Sequence, residues 1–257
     1  MKSRQIQLDA FSRLLDIMDE LREKCPWDKK QTMQSLRYLT IEETYELGDA
    51  ILDNNLQEVK KELGDVLLHI VFYAKIASET NTFDIADVCT EISDKLVHRH
   101  PHIYGDVVVE NEEQVKQNWE KLKLKEGRAS VLEGVPKSLP ALVKAARIQE
   151  KARGVGFDWD EPQQVWDKVK EELNEFQAEV ALSNQDKMED EFGDVLFSLI
   201  NYARFLNINP ENALERTNKK FIKRFQYLES KAGQLNKNLS DMTLAEMDVF
   251  WNEAKKL

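Results

Sequence analysis

The sequence predicts an all-α protein built from two tandem four-helix-bundle-like units, and three observations carry that expectation. The composition is helix-biased, 42% apolar with nine glycines and six prolines in 257 residues, so turn formers are scarce. Apolar residues recur at three- and four-residue spacing through most of the chain, the stripe of an amphipathic helix. An acidic pattern also occurs twice with one offset of 129 positions: 43 to 172, 46 to 175, 62 to 191 and 65 to 194. Such a repeat sets the architecture before any local detail.

A chain of 257 residues exceeds the ~100–200 residue prior for one domain. The expected division is a first unit over 1–126, a linker over 127–140 and a second unit over 141–257. The linker reads GRASVLEGVPKSLP, with two glycines, two prolines and little periodicity.

In chain order, Leu8, Phe11, Leu14, Leu15, Met18 and Leu21 give a first helix over 5–24. Cys25-Pro26-Trp27-Asp28 then breaks the chain, because the residue before proline is pushed out of the helical region. A second helix over 32–53 carries Glu43 and Glu46, and a third over 56–77 carries Glu62 and Asp65. The link Asp53-Asn54-Asn55 is short enough to make these two helices antiparallel neighbours. A helix over 85–100 ends in His98-Arg99-His100-Pro101-His102, where a helix dipole favours charged histidines. A short extended turn is expected over 101–111 and a helix with Trp119 over 113–125. In the second unit, helices are expected over 141–153, around Val165 to Val180, around Met188 to Leu199, after Asn209-Pro210, and around Trp251.

Trp-Asp-x-x-Gln also recurs, at Trp27 and Trp159. Each tryptophan reads as a plug over the end of a helix bundle, with a stacking wall for a base as the alternative.

The chemistry rests on the acids. Residues three apart share a helix face, so Glu172 pairs with Glu175 and Glu191 pairs with Asp194, and an antiparallel hairpin brings the four together. Four carboxylates at one seam repel one another unless they are protonated or bind cations. Hard oxygen ligands suit Mg²⁺, with Mn²⁺ as a possible substitute. Around the second set stand Lys168, Lys170, Lys187, Lys219, Lys220, Lys223 and Arg224, whereas Leu39, Ile41 and Glu58 occupy the places of the first three in the first half. Cations beside an acidic metal site suit a polyphosphate, so the second half is expected to be the main catalytic unit.

Several classes are excluded. A net charge of −11 opposes general nucleic-acid binding. Cys25 and Cys89 are too few for a disulfide framework, which suits a reducing cytoplasm. The amphipathic N-terminus and the absence of a run of ~20 apolar residues argue against export and membrane spanning. There is no G-x-x-x-x-G-K-[ST] loop and no G-x-G-x-x-G. No Glu-x-x-His occurs either, which opposes a ferritin-like di-iron bundle.

The stretches CPWDKKQT, LTIEETYELGDAI, ELGDVLLHIVFYAKIA, SDKLVHRHPHIYGD, VPKSLPALVKAARIQEKARGVGFDW, KVKEELNEF and EFGDVLFSLINYARFL closely resemble the two-domain MazG proteins. These are nucleoside triphosphate pyrophosphohydrolases of the all-α NTP pyrophosphatase superfamily. The resemblance implies Mg²⁺-dependent hydrolysis of NTPs and dNTPs to monophosphate and pyrophosphate, with broad base tolerance, by a homodimer. It makes Glu172, Glu175, Glu191 and Asp194 metal ligands in the second half, and Glu43, Glu46, Glu62 and Asp65 their equivalents in the first. Glu171 becomes an acid that orients water. Nucleotide contacts fall on Lys168, Val169, Lys170, Glu171 and Glu172, on Lys187, Met188, Glu189 and Asp190, and on Lys220, Phe221, Ile222, Lys223, Arg224 and Trp251. The competing expectation is a non-catalytic helical-repeat interaction protein with vestigial metal sites.

Overall fold

Helix caps mark out the architecture. In the computed structural model, which describes residues 3–111, 114, 115, 118, 119, 122 and 130–256, side-chain oxygens of Ser3, Thr32, Asn55, Asp84, Asn184, Asn209 and Thr243 accept backbone N–H groups at helix starts. Each such cap satisfies a donor that has no partner within its helix. Ends are marked by left-handed residues, chiefly asparagines: Asn54, Asn81, Asn207 and Asn236 have φ of 54°, 53°, 55° and 52°. No strand occurs among the described residues.

The chain divides into two compact units, Met1–Val108 and Val109–Leu257. The first contains α1 (Arg4–Lys24), α2 (Met33–Leu52), α3 (Leu56–Ser78), α4 (Ile85–Arg99) and the single turn α5 (Pro101–Tyr104). Met18, Leu36, Val71 and Phe72 form its buried centre, with Phe11, Leu14, Leu39 and Leu68 packed against them. Burial of each such side chain contributes about 1.5–3 kcal/mol. Arg22 at the end of α1 fastens the Trp27 segment. It donates to the carbonyls of Asp28 and Gln31 and makes a two-pronged pair with Glu79 at 2.7 and 2.9 Å.

The second unit contains α6 (Ala141–Arg153), α7 (Pro162–Leu182), α8 (Gln185–Phe205), α9 (Pro210–Gln234) and α10 (Leu244–Ala254). Helix α7 packs along α8, α6 packs on α8 and α9, and α10 closes on α9. Val165 and Val169 of α7, Val195 and Ile200 of α8 and Leu228 of α9 are buried. The segment 130–140 belongs to this unit. Lys151, 2% exposed, donates to the Val131 carbonyl at 3.2 Å, and Lys144 donates to the Lys137 carbonyl at 2.7 Å.

The helices occupy the stretches that periodicity indicates, with one correction. The expected extended turn over 101–111 begins as the helical turn α5, because Pro101 sits at its first position, where a fixed φ and a missing N–H carry no penalty. The helix expected over 113–125 lies largely outside the described residues. Positions 114, 115, 118, 119 and 122 are helical.

Candidate metal centres

The two acid sets sit on hairpins built alike. In the first, Asp53 ends α2, Asn54 takes the left-handed turn, and Asn55 caps α3 by accepting from the Glu58 N–H at 3.3 Å. In the second, Ser183 takes the turn at φ 55° and Asn184 caps α8 by accepting from the Lys187 N–H at 3.4 Å. Asn54 and Asn55 precede Ser183 and Asn184 by the same 129 positions as the acids, so the repeat extends from side chains to backbone.

Oxygen atoms of Glu43, Glu46 and Glu62 lie within 4.8 Å of one another, and those of Glu172, Glu175 and Glu191 do the same. Two acids come from the first helix of each hairpin and one from the second. Glu62 and Glu172 are buried, at 3% and 7% exposure. Asp65 and Asp194 stand outside these triads, Asp65 partly buried and Asp194 exposed. Asp65 is nevertheless near enough to act on Glu43, whose carboxyl is pushed above its ordinary range first by burial, then by Asp65, Glu46 and Glu62. Glu175 is raised in the same way, by desolvation and then by Glu172 and Glu191. Crowded acids of this kind favour either a proton or a cation.

The cations differ between the halves. Lys168 reaches Glu171 and Glu172 at 2.8 Å each, and both hydrogen bonds push its ammonium pKa up, that from Glu171 most. Leu39 holds that place in the first half and packs against the core. There the cation is Lys61, 2.8 Å from Glu62 Oε1, while Glu62 Oε2 is buried with no partner. Lys187 stands 3.6 Å from Glu179, whose Oε2 is likewise buried and unpartnered. Sequence reading passed over Glu179, although its position seven residues after Glu172 places it on the same helix face. Its counterpart in the first half is Ala50, which is buried.

The remaining expected residues separate into groups. Val169 is fully buried and Lys170 pairs with Asp167 at 3.0 Å. On α8, Met188 is half-buried, while Glu189 and Asp190 are exposed. On α9, Lys220, Phe221, Ile222 and Lys223 are exposed. Phe221 lies 5.0 Å from the ring of Trp251, and the Arg224 guanidinium lies 5.9 Å from it, so these three form a cluster of their own. The rings of His100 and His102 lie 5.5 Å apart, tilted by 54°, but among the described residues the histidines join no group of three potential metal ligands.

The triads fit a hard divalent cation. Each offers three carboxylates converging within 4.8 Å, and the first holds a buried oxygen without a donor, the kind of donor set such ions take.

These features define a class: a tandem all-α protein with one carboxylate triad per repeat, each able to hold a metal ion. The MazG nucleotide pyrophosphohydrolase domain matches residues 31–104 and 160–228, so the chain belongs to the MazG family. It is 41% identical over 258 residues to a nucleoside triphosphate pyrophosphohydrolase of Escherichia coli K12, covering 97% of this chain and 98% of that one. It is 42% identical over 250 residues to the nucleoside triphosphate pyrophosphohydrolase/pyrophosphatase MazG of Thermotoga maritima, covering 95% of each chain. It is also 47% identical over 261 residues to protein YabN of Bacillus subtilis, covering 99% of this chain and 53% of that one.

Proposed function

We propose that this chain hydrolyses nucleoside and deoxynucleoside triphosphates to monophosphate and pyrophosphate, with broad base tolerance, and that the second half is the main catalytic unit. The observation that carries the reading is the second triad with Lys168 bonded into it, set against its lysine-poor counterpart. Mg²⁺, or Mn²⁺ in its place, is the proposed ion, and Glu172, Glu175 and Glu191 would hold it, with Asp194 one turn along α8. A divalent cation there supplies neutralisation of charge on the phosphate bridge.

The chain's own groups do the rest. Glu171, with its side chain 55% exposed beside the triad, accepts hydrogen bonds from a water and takes its proton. The water oxygen attacks the α-phosphorus, the bond to the bridging oxygen breaks, and pyrophosphate leaves with the electron pair. Lys168 holds Glu171 and Glu172 in register, and Lys187 and the α9 cations offset the charge of the β- and γ-phosphates. Glu43, Glu46 and Glu62, with Asp65 beside them, form the first-half metal site, and the substitution of Lys168, Lys170 and Lys187 by Leu39, Ile41 and Glu58 favours a structural or regulatory role there.

The proposed assembly is a homodimer, and its proposed location is the cytoplasm. Exposed apolar stripes at Leu63, Leu67 and Ile70, and at the equivalent Phe192, Leu196 and Leu199, support the homodimer.

Product analysis on an NTP and dNTP panel, with and without Mg²⁺, tests the reading. Metal-dependent monophosphate and pyrophosphate, abolished in Glu172→Ala and largely retained in Glu43→Ala, is the expected result. Release of inorganic phosphate from the γ position would overturn the cleavage site, and no product at all would leave a helical-repeat binding protein.

A further inference from the structure

The hairpin of α7 and α8 carries one further rung of side chains beyond the second triad. One helical turn from Glu175 and Glu191, toward the turn at Ser183, Glu179 faces Lys187, its Oε1 3.6 Å from the ammonium. The Glu179 side chain is 15% exposed, and its Oε2 is buried with no partner. A carboxylate so placed is costly unless its charge is used. Lys187 also stands against local preference. It lies in the first turn of α8, where the helix dipole favours acids. In the first repeat the equivalent positions hold Ala50 and Glu58, and Glu58 suits the start of α3 and pairs with Lys61 of its own helix at 3.8 Å. Helix stability accounts for the first rung and leaves the second unexplained.

Resting on the function proposed above, we infer that Glu179 is a positioning residue, which holds the Lys187 ammonium where it meets the β- and γ-phosphates. Lys187 and Glu191 are separated by about 6 Å of helix rise, the reach of the phosphates beyond the bond to be broken. The backbone of Lys187 is already fixed, because Asn184 Oδ1 accepts its N–H at 3.4 Å. Its side chain remains 63% exposed, and a long ammonium chain loses rotamer freedom when it grips an anion. Pairing with Glu179 takes part of that loss before substrate arrives, which is how preorganisation raises affinity. The ammonium has three donors, so one turned toward Oε1 leaves the others for phosphate oxygens. Repulsion between Glu179 and the polyanion works in the opposite direction. The acid is the buried end of the pair and the lysine the exposed end, so the positive charge faces outward and attraction prevails.

Calorimetry on the full chain with Mg²⁺ compares adenosine 5′-monophosphate with α,β-methyleneadenosine 5′-triphosphate, in which a methylene replaces the oxygen of the bond to be broken. Wild type is expected to bind the triphosphate analogue about tenfold or more tightly. Glu179→Gln, which keeps the size and removes the charge, and Lys187→Ala are each expected to reduce that advantage by about three- to tenfold and to leave the monophosphate Kd within about twofold of wild type. The double variant is expected to match Lys187→Ala, because Glu179 acts through the lysine. Glu179→Ala, which copies Ala50 of the first repeat, gives the same reading where the amide disturbs folding. Tighter binding of the analogue by Glu179→Gln would reveal simple repulsion and overturn the inference. So would an unchanged preference in that variant, equal weakening of both ligands, losses that add in the double variant, or a wild type without preference for the analogue. Binding is read without turnover, so a chain that binds the analogue and releases no pyrophosphate would sink the proposed reaction while this measurement still decides the role of Glu179.

Discussion

Leu39 and Lys168 occupy the same place in the two repeats. Leu39 packs into the core around Met18, Leu36, Val71 and Phe72, while Lys168 bridges Glu171 and Glu172. Both halves keep the carboxylate triad on the same hairpin, down to a left-handed residue followed by an asparagine cap. They differ in the positive charge set beside it and in the extra buried acid, Glu179 against Ala50. A metal-ligand arrangement can therefore persist while the groups that would handle a polyanion are lost, because ligands and phosphate-binding cations are separate sets of side chains.

The largest effect should come from removing one ligand in each half. Glu172→Gln is expected to lower kcat/KM by about 10³-fold, several kcal/mol of lost charge stabilisation, and Glu43→Gln by less than about twofold. Steady-state pyrophosphate release measures both, and equal losses would erase the distinction between halves. Lys168→Leu, which copies the first half into the second, is expected to cost about 10- to 100-fold in kcat/KM, the range for a charge-assisted hydrogen bond.

The anchoring of the two tryptophan segments gives a third contrast. Asp158 and Arg204 pair with side chains only 17% and 15% exposed, so Asp158→Asn should cost on the order of 2–3 kcal/mol in urea unfolding. Glu79 fastens Arg22 with a side chain 38% exposed, and solvent screening reduces Glu79→Gln to about 0.5 kcal/mol at pH 7. The hydrogen bonds from Arg22 hold the Glu79 carboxyl below its ordinary value of 4.5 against the opposing effect of burial. Its contribution is thus complete above the unfolded carboxyl range and declines as pH falls below it. The gap between wild type and Glu79→Gln should close on acidification, and a gap that widened would refute the pairing.

The smallest effects concern Gly64 and Gly193, equivalent helix-interior residues where an added methyl meets nothing within 4 Å. Each glycine-to-alanine change should stabilise its half by roughly 0.5–1 kcal/mol. Both should raise the thermal midpoint, which differential scanning calorimetry measures.

Much of this was legible because it is local. Helix spans follow from the three- and four-residue stripes, and the hairpins follow from Asp53-Asn54-Asn55 and from the fixed offset between acids. The fourth acid of each set, Asp65 and Asp194, lies about 60° around the helix from Glu62 and Glu191 and stands outside the groups whose oxygens converge within 4.8 Å. A bundle plug would be buried, yet Trp27 and Trp159 are 55% and 42% exposed. Trp159 instead walls a cavity formed by residues as distant as Val131 and Arg204. The Asp158–Arg204 pair and the Gln149–Phe197 bond span 46 and 48 residues, and no periodicity within a helix encodes such distances.

The bare oxygen of Glu62 has a thermodynamic consequence of its own. A cation that binds the folded hairpin and not the unfolded chain shifts the folding equilibrium by mass action. A divalent cation held by Glu43, Glu46 and Glu62 would make the firmness of the first repeat follow the free divalent concentration, whether or not any bond is ever broken there.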